Sequence, residues 1–142
     1  MAQGLPPTQR VPELGYKVVP DFFQYPADWI VGEASGVAVN SKGHIFLFQR
    51  AQPMLSEFDE TGHYLRSIGE GLFDHPHGLR IDAQDNLWTT DDTNHTVLKL
   101  SPAGKVLLVL GRRYNGGEAN WLFNKPADVA IANNGDIYVA DG

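Results

Sequence analysis

The side chains with the most chemistry to offer in this chain are a histidine and an arginine that its own repeats do without. FDHPHGLRID, residues 73–82, is echoed at an offset of 50 by FNKPADVAIA, residues 123–132. Phe, Pro and the alternating apolar run survive, while His75 becomes Lys125 and His77 becomes Ala127. An imidazole can ligate a metal through one ring nitrogen or pass a proton near neutral pH. The plain alternative for a histidine beside a proline is a turn or packing residue, and the survival of the frame around Ala127 weakens it. Arg50 follows the run IFLFQ, and its counterparts in the later units are Asp92 and Gly142, so the frame does not demand arginine there. A guanidinium at that point can stabilise an anionic oxygen; the plain alternative is a surface residue that closes a strand.

The elements that must position these residues come from a repeat. SGVAVNSKGHIFLFQ (35–49), HGLRIDAQDNLWTTD (77–91) and ADVAIANNGDIYVAD (127–141) superpose at offsets of 42 and 50. The longer offset comes from residues entering after Gly111, in RRYNGGEANW, whose paired glycines mark a loop. Each unit predicts an inner strand (GVAV, GLRI, DVAI), a polar turn (NSKG, DAQD, ANNG) and a second strand. A third strand is predicted at Met54–Asp59 and Val97–Leu100, and a fourth in HYLRSIG and KVLLVLG. Four strands at a period near forty residues is the pattern of a β-propeller blade. Val106–Leu110 is apolar enough for a helix, but its length, β-branched content and bounding glycine favour a strand.

The predicted fold is therefore all-β: a partial propeller over residues 32–142, with blades at about 35–69 and 77–111 and a half blade at 127–142. Residues 1–31 form an N-terminal arm, in which Tyr16–Val19 reads as a lone strand able to close the last blade of a ring. A propeller needs at least about four blades to close. A piece of a longer chain is the expectation; copies assembling into a ring, or associating through open strand edges, are the alternative.

Composition removes several functions. The net charge is −6 and the only adjacent basic pair is Arg112–Arg113, which argues against binding to a phosphate backbone and so against nucleic acid. There is no cysteine, hence no disulfide and no thiolate metal site. No apolar run is long enough to span a membrane. The first ten residues are polar and proline-rich; the compartment stays open, export with removal of a signal included. No spacing suggests a Ser-His-Asp triad, a phosphate loop or a dinucleotide fingerprint. Asp91 and Asp141 end equivalent strands and are expected to be turn or cap carboxylates. His75 is expected to be exposed, and His44, His63 and His95 to lie in turns or outer strands without metal. Trp29, Trp88 and Trp121 are expected between blades or at the channel edge.

The units resemble NHL repeats, with TNHTVLKL (93–100) similar to the segment that names them. SGVAV, FQR, FDHPHGLRID, NLWTTD, KPADVAI and YVADG together resemble one branch, the peptidyl-α-hydroxyglycine α-amidating lyases. The resemblance implies a six-bladed propeller and a lyase that cleaves the C–N bond of a peptidyl-α-hydroxyglycine to a peptide amide and glyoxylate. It implies a zinc ion in the central channel on three histidines from alternate blades, one of which falls on His77. It implies a catalytic arginine, falling on Arg50, and a structural calcium bound by backbone carbonyls that fall on Val37 and Leu79. The remaining zinc ligands and a catalytic tyrosine would follow Gly142. The expected partner is a small peptide or hydroxyglycine-like substrate. The other reading is a non-catalytic propeller that binds a protein or ligand, since fold does not settle function; RNA binding, a third, is disfavoured by the charge.

Overall fold

The computed structural model describes residues 14–142. They form ten strands and, among the described residues, no helix. β1 (Ala34–Val39), β2 (Ile45–Gln49), β3 (Leu55–Phe58) and β4 (Tyr64–Ser67) make one antiparallel sheet in sequential order. β5 (Pro76–Ile81), β6 (Leu87–Asp91), β7 (Thr96–Leu100) and β8 (Val106–Gly111) make a second, and β9 (Asp128–Ile131) pairs with β10 (Ile137–Ala140) in a third. The run Val106–Leu110 is a strand, as its bounding glycine implied.

The turns between first and second strands show why these residues were chosen. Gly43, Asp85 and Gly135 occupy the same place in each unit, all with positive φ (81°, 61° and 90°). Glycine reaches that conformation freely, and aspartate tolerates it better than most residues. Asn40 and Asp82 hold the first two turns from inside: each Oδ1 accepts backbone N–H bonds from the residues two and four places on.

Alternation along the central strands sends side chains into two separate cores. Leu87 and Leu98 join Phe46, Phe48, Leu55, Phe73 and Leu79 between the first and second sheets. Trp88 and Val97 join Val129 between the second and third, with Leu108, Ile131 and Ile137 against them. β6 is therefore buried along its whole length, and reads as a continuous strand rather than an alternating one. Leu79 is 1% exposed and Val129 2%. Face-to-face stacking of blades thus supplies the hydrophobic stabilisation that no single sheet could.

The blade that Tyr16–Val19 is expected to close is not among the described sheets. Tyr16–Val19 belongs to no sheet among the described residues, and its side chains are exposed. A strand needs a partner's ladder, and the described residues offer this stretch none. The arm docks further on instead. Gln24 donates its backbone N–H to Gly62 O (2.8 Å), and Phe23, Tyr25 and Trp29 stack around Phe58 and Tyr64. Trp29 therefore seals the first blade to the arm, Trp88 fills the space between blades, and Trp121 is exposed on the loop after β8. Residues 1–13 of the expected arm lie outside the described residues.

Candidate functional site

All three blades build the entrance to the inner strand alike. The residue at the end of the second strand (Gln49, Asp91) or just past it (Asp141) reaches back and accepts the backbone N–H that leads into the inner strand. Gln49 Oε1 takes Gly32 N–H (3.2 Å), Asp91 Oδ2 takes Asp74 N–H (2.7 Å), and Asp141 Oδ1 takes Asn124 N–H (2.7 Å). Asp91 is 2% exposed and also accepts from His75, Thr93 and Asn94 N–H. These bonds match the cap role expected of Asp91 and Asp141, and for the buried Asp91 carboxylate such donors are a requirement.

One residue further on, the blades differ. Arg50 Nη1 meets Glu33 Oε2 at 3.2 Å, and at the equivalent places His75 Nδ1 meets Asp92 Oδ1 at 2.7 Å. The pair is kept with its acidic and basic partners exchanged, and His75 is half-buried rather than exposed. Superposing the repeats would have shown the opposed charges of Glu33 and Arg50. Arg50 also crosses to the next blade, where Nε donates to Pro76 O (3.3 Å), the residue before His77. The two predicted site residues are thus brought to adjoining positions.

His77 stands on a β-bulge. Pro76 pairs with Asp91 and Leu79 with Thr89, so His77 and Gly78 face the single residue Thr90. A bulge of this kind turns a side chain out of the ladder. The first blade has a register shift at the same place, where Ser35 Oγ bonds Phe48 O of its own blade. His77 instead reaches the neighbouring blade: Nδ1 lies 2.8 Å from Ala127 O. A carbonyl only accepts, so Nδ1 carries the proton, and the neutral ring keeps its lone pair on Nε2. This is how metal-ligating histidines are commonly oriented. The donor chemistry at His77 therefore fits a zinc ligand. Among the described residues, no three His, Cys, Asp or Glu side chains converge on a metal position.

His44, His63 and His95 have local partners: Glu57, Asp59 with Thr61, and the Lys125 backbone N–H. Val37 and Leu79 lie on neighbouring inner strands, and Gly36 passes so close to Leu79 that a Cβ on it would sit 2.9 Å from the Leu79 Cβ. The Leu79 carbonyl accepts a long bond from Arg80 Nη1 (3.4 Å), while Arg80 Nη2 is paired with Asp128. A guanidinium at that carbonyl opposes a cation.

Asp82, in the turn between β5 and β6, is held from its ordinary 3.8 down to about 2. Burial raises it, but bonds from Trp88 Nε1, the Asn86 side chain and two backbone N–H groups together outweigh burial. Lys99 Nζ stands 3.3 Å away and over the Trp88 ring.

The sequence pattern of the NHL repeat matches residues 73–100 and 123–142. A probable peptidyl-α-hydroxyglycine α-amidating lyase of Caenorhabditis elegans is 35% identical over 136 residues, covering 79% of this chain and 39% of the relative. Peptidyl-α-hydroxyglycine α-amidating lyase 1 of Drosophila melanogaster is 40% identical over 96 residues, covering 66% of this chain and 18% of the relative. NHL repeat-containing protein 3 of Homo sapiens is 32% identical over 142 residues, covering 92% of this chain and 39% of the relative. The chain thus spans about two fifths or less of the length of these relatives. Among solved structures, a catalytically inactive virginiamycin B lyase from Staphylococcus aureus with quinupristin superposes with a TM-score of 0.60 at 17% identity, covering 82% of this chain and 36% of that one. At that identity the likeness is one of fold.

Proposed function

We propose, from the premise that this chain is a partial NHL-repeat β-propeller resembling the peptidyl-α-hydroxyglycine α-amidating lyases, that it contributes two residues to a lyase site of that kind. The reaction breaks the C–N bond of a peptidyl-α-hydroxyglycine. The hydroxyl oxygen becomes the aldehyde of glyoxylate, its proton leaves, and the departing amide nitrogen gains a proton. His77 Nε2 would hold zinc together with ligands from outside this chain, and the metal would supply Lewis acidity at the hydroxyl oxygen. His77 is oriented for this by its Nδ1 bond to Ala127 O. Arg50 is fixed at two of its nitrogens, on Pro76 O and Glu33, and Nη2 has no bond to the described residues. Its pair with Glu33 is weak because Glu33 is largely exposed. A substrate carboxylate or developing oxyanion can therefore compete for Arg50.

The observation that carries this reading is the Arg50–Pro76 bond, which sets the guanidinium beside the residue that bears the free Nε2. Zinc content and glyoxylate release of the complete protein test it. His77→Ala is expected to lower zinc affinity by about ten-fold or more, and Arg50→Ala to keep zinc and lose turnover. Unchanged zinc and turnover in His77→Ala would remove the lyase reading from this site. A calcium on the Val37 and Leu79 carbonyls belongs to the same proposal and requires Arg80 to release Leu79; a melting temperature unmoved by calcium would exclude it.

A second reading has its own support. The exchanged pair His75–Asp92 at the equivalent place supports a role for Glu33–Arg50 in blade construction alone, as a binding scaffold without catalysis would require.

A further inference from the structure

We infer that Thr90 is the positioning residue for His77, acting through the Ala127 carbonyl; the inference rests on the reading of His77 as a metal ligand. The bulge at His77 and Gly78 takes the Gly78 N–H out of the regular ladder, and Thr90 Oγ1 accepts it at 2.7 Å. The same hydroxyl donates onward to Ala127 O at 3.0 Å, the oxygen that accepts from His77 Nδ1 at 2.8 Å. Both of that carbonyl's lone pairs are thereby engaged, one by the hydroxyl and one by the imidazole. Thr90 has no exposed surface, so no water replaces its hydroxyl. With the hydroxyl in place, Ala127 O is pinned from the Thr90 side and presents one remaining lone pair to the ring. Without it the carbonyl can swing, and the ring loses the fixed acceptor that selects the Nδ1–H form.

The repeat again provides the control. The positions equivalent to Thr90 are Phe48 and Ala140, so a blade closes without a hydroxyl there. The positions equivalent to His77 are Ser35 and Ala127. The polar residue opposite the bulge occurs in the one blade of the three whose bulge carries histidine. Gly78 belongs to the same device. A Cβ on it would stand 2.8 Å from Ala127 O, 2.9 Å from Thr90 Oγ1 and 3.0 Å from Asp128 Oδ1, so the neighbouring blade approaches this closely only over glycine.

Nitrogen-15 NMR of histidine-labelled, metal-free protein reads the ring proton directly. In the unmodified protein His77 is expected to carry its proton on Nδ1; a proton on Nε2 would overturn the inference without any variant. Thr90→Val is expected to give a mixture of the two tautomers and, in the complete protein, a zinc affinity about ten-fold lower, and Thr90→Ser to restore both. Thr90→Val with the original tautomer and affinity would also overturn it. If Thr90→Val shifts the tautomer while zinc never depends on His77, the positioning stands and the ligand reading fails, so the two failures are distinct.

Discussion

At the scale of single residues, the repeat separates what the site needs from what the blade needs. His77→Ala in the metal-free protein removes one hydrogen bond but leaves Ala127 O with Thr90, so a loss of about 1 kcal/mol is expected in urea unfolding. Leu79→Ala empties a fully packed place in the first core and is expected to cost about 2–5 kcal/mol by the same measurement. Equal losses would make the histidine structural. Gly78→Ala must push Ala127 O or Thr90 aside and is expected to cost about 1–3 kcal/mol. His77 and Arg50 were legible in the sequence because their counterparts were present for comparison. Their partners were not: Ala127 O and Pro76 O are backbone atoms, and no residue type announces which carbonyl a side chain will meet 50 or 26 positions away. Thr90 is hidden in the sequence for a different reason. NLWTTD has the pattern of a strand, and only the register shift shows which threonine faces the bulge.

At the scale of elements, strand order and turns were readable because apolar runs and turn residues recur together, and each local preference agrees with the stacked fold. The docking of the arm was not, because the FFQY stretch that packs on the first blade is short and irregular. The buried cap of β6 gives a firm expectation. Asp91 accepts four backbone N–H bonds, so Asp91→Ala leaves them without their acceptor and is expected to cost about 3 kcal/mol or more in urea unfolding, a larger loss than His77→Ala. Asp82 contributes to acid behaviour, as do Asp59 and Asp85, which are also held below the ordinary carboxylate value. The folded pKa of Asp82 lies below the unfolded one, so its contribution is fully present above about 3.8 and is lost as the pH falls toward 2. Asp82→Asn is expected to lower stability at neutral pH and to flatten this acid limb, followed through Trp88 fluorescence; an acid limb of unchanged steepness would assign the titration elsewhere.

At the scale of the whole molecule, each blade touches only its neighbours, so stability adds up along the stack rather than through one central core. One histidine cannot satisfy zinc's usual three or four protein ligands. Calorimetry on this chain as a monomer is therefore expected to show no submicromolar zinc binding, and such binding would mean that copies associate and pool their histidines. The two-stranded sheet β9–β10 has a further consequence. It is the described sheet with the fewest strands, and Ala127, at its edge, donates its N–H to Ala140 O while its own carbonyl holds His77. Amide protons exchange with solvent at a rate set by local opening. The Ala127 amide in this chain should therefore exchange sooner than those of β6, and each such opening also releases the imidazole. In this chain taken by itself, the residence time of His77 in its ligand-ready orientation is thus set by the breathing of the β9–β10 hairpin.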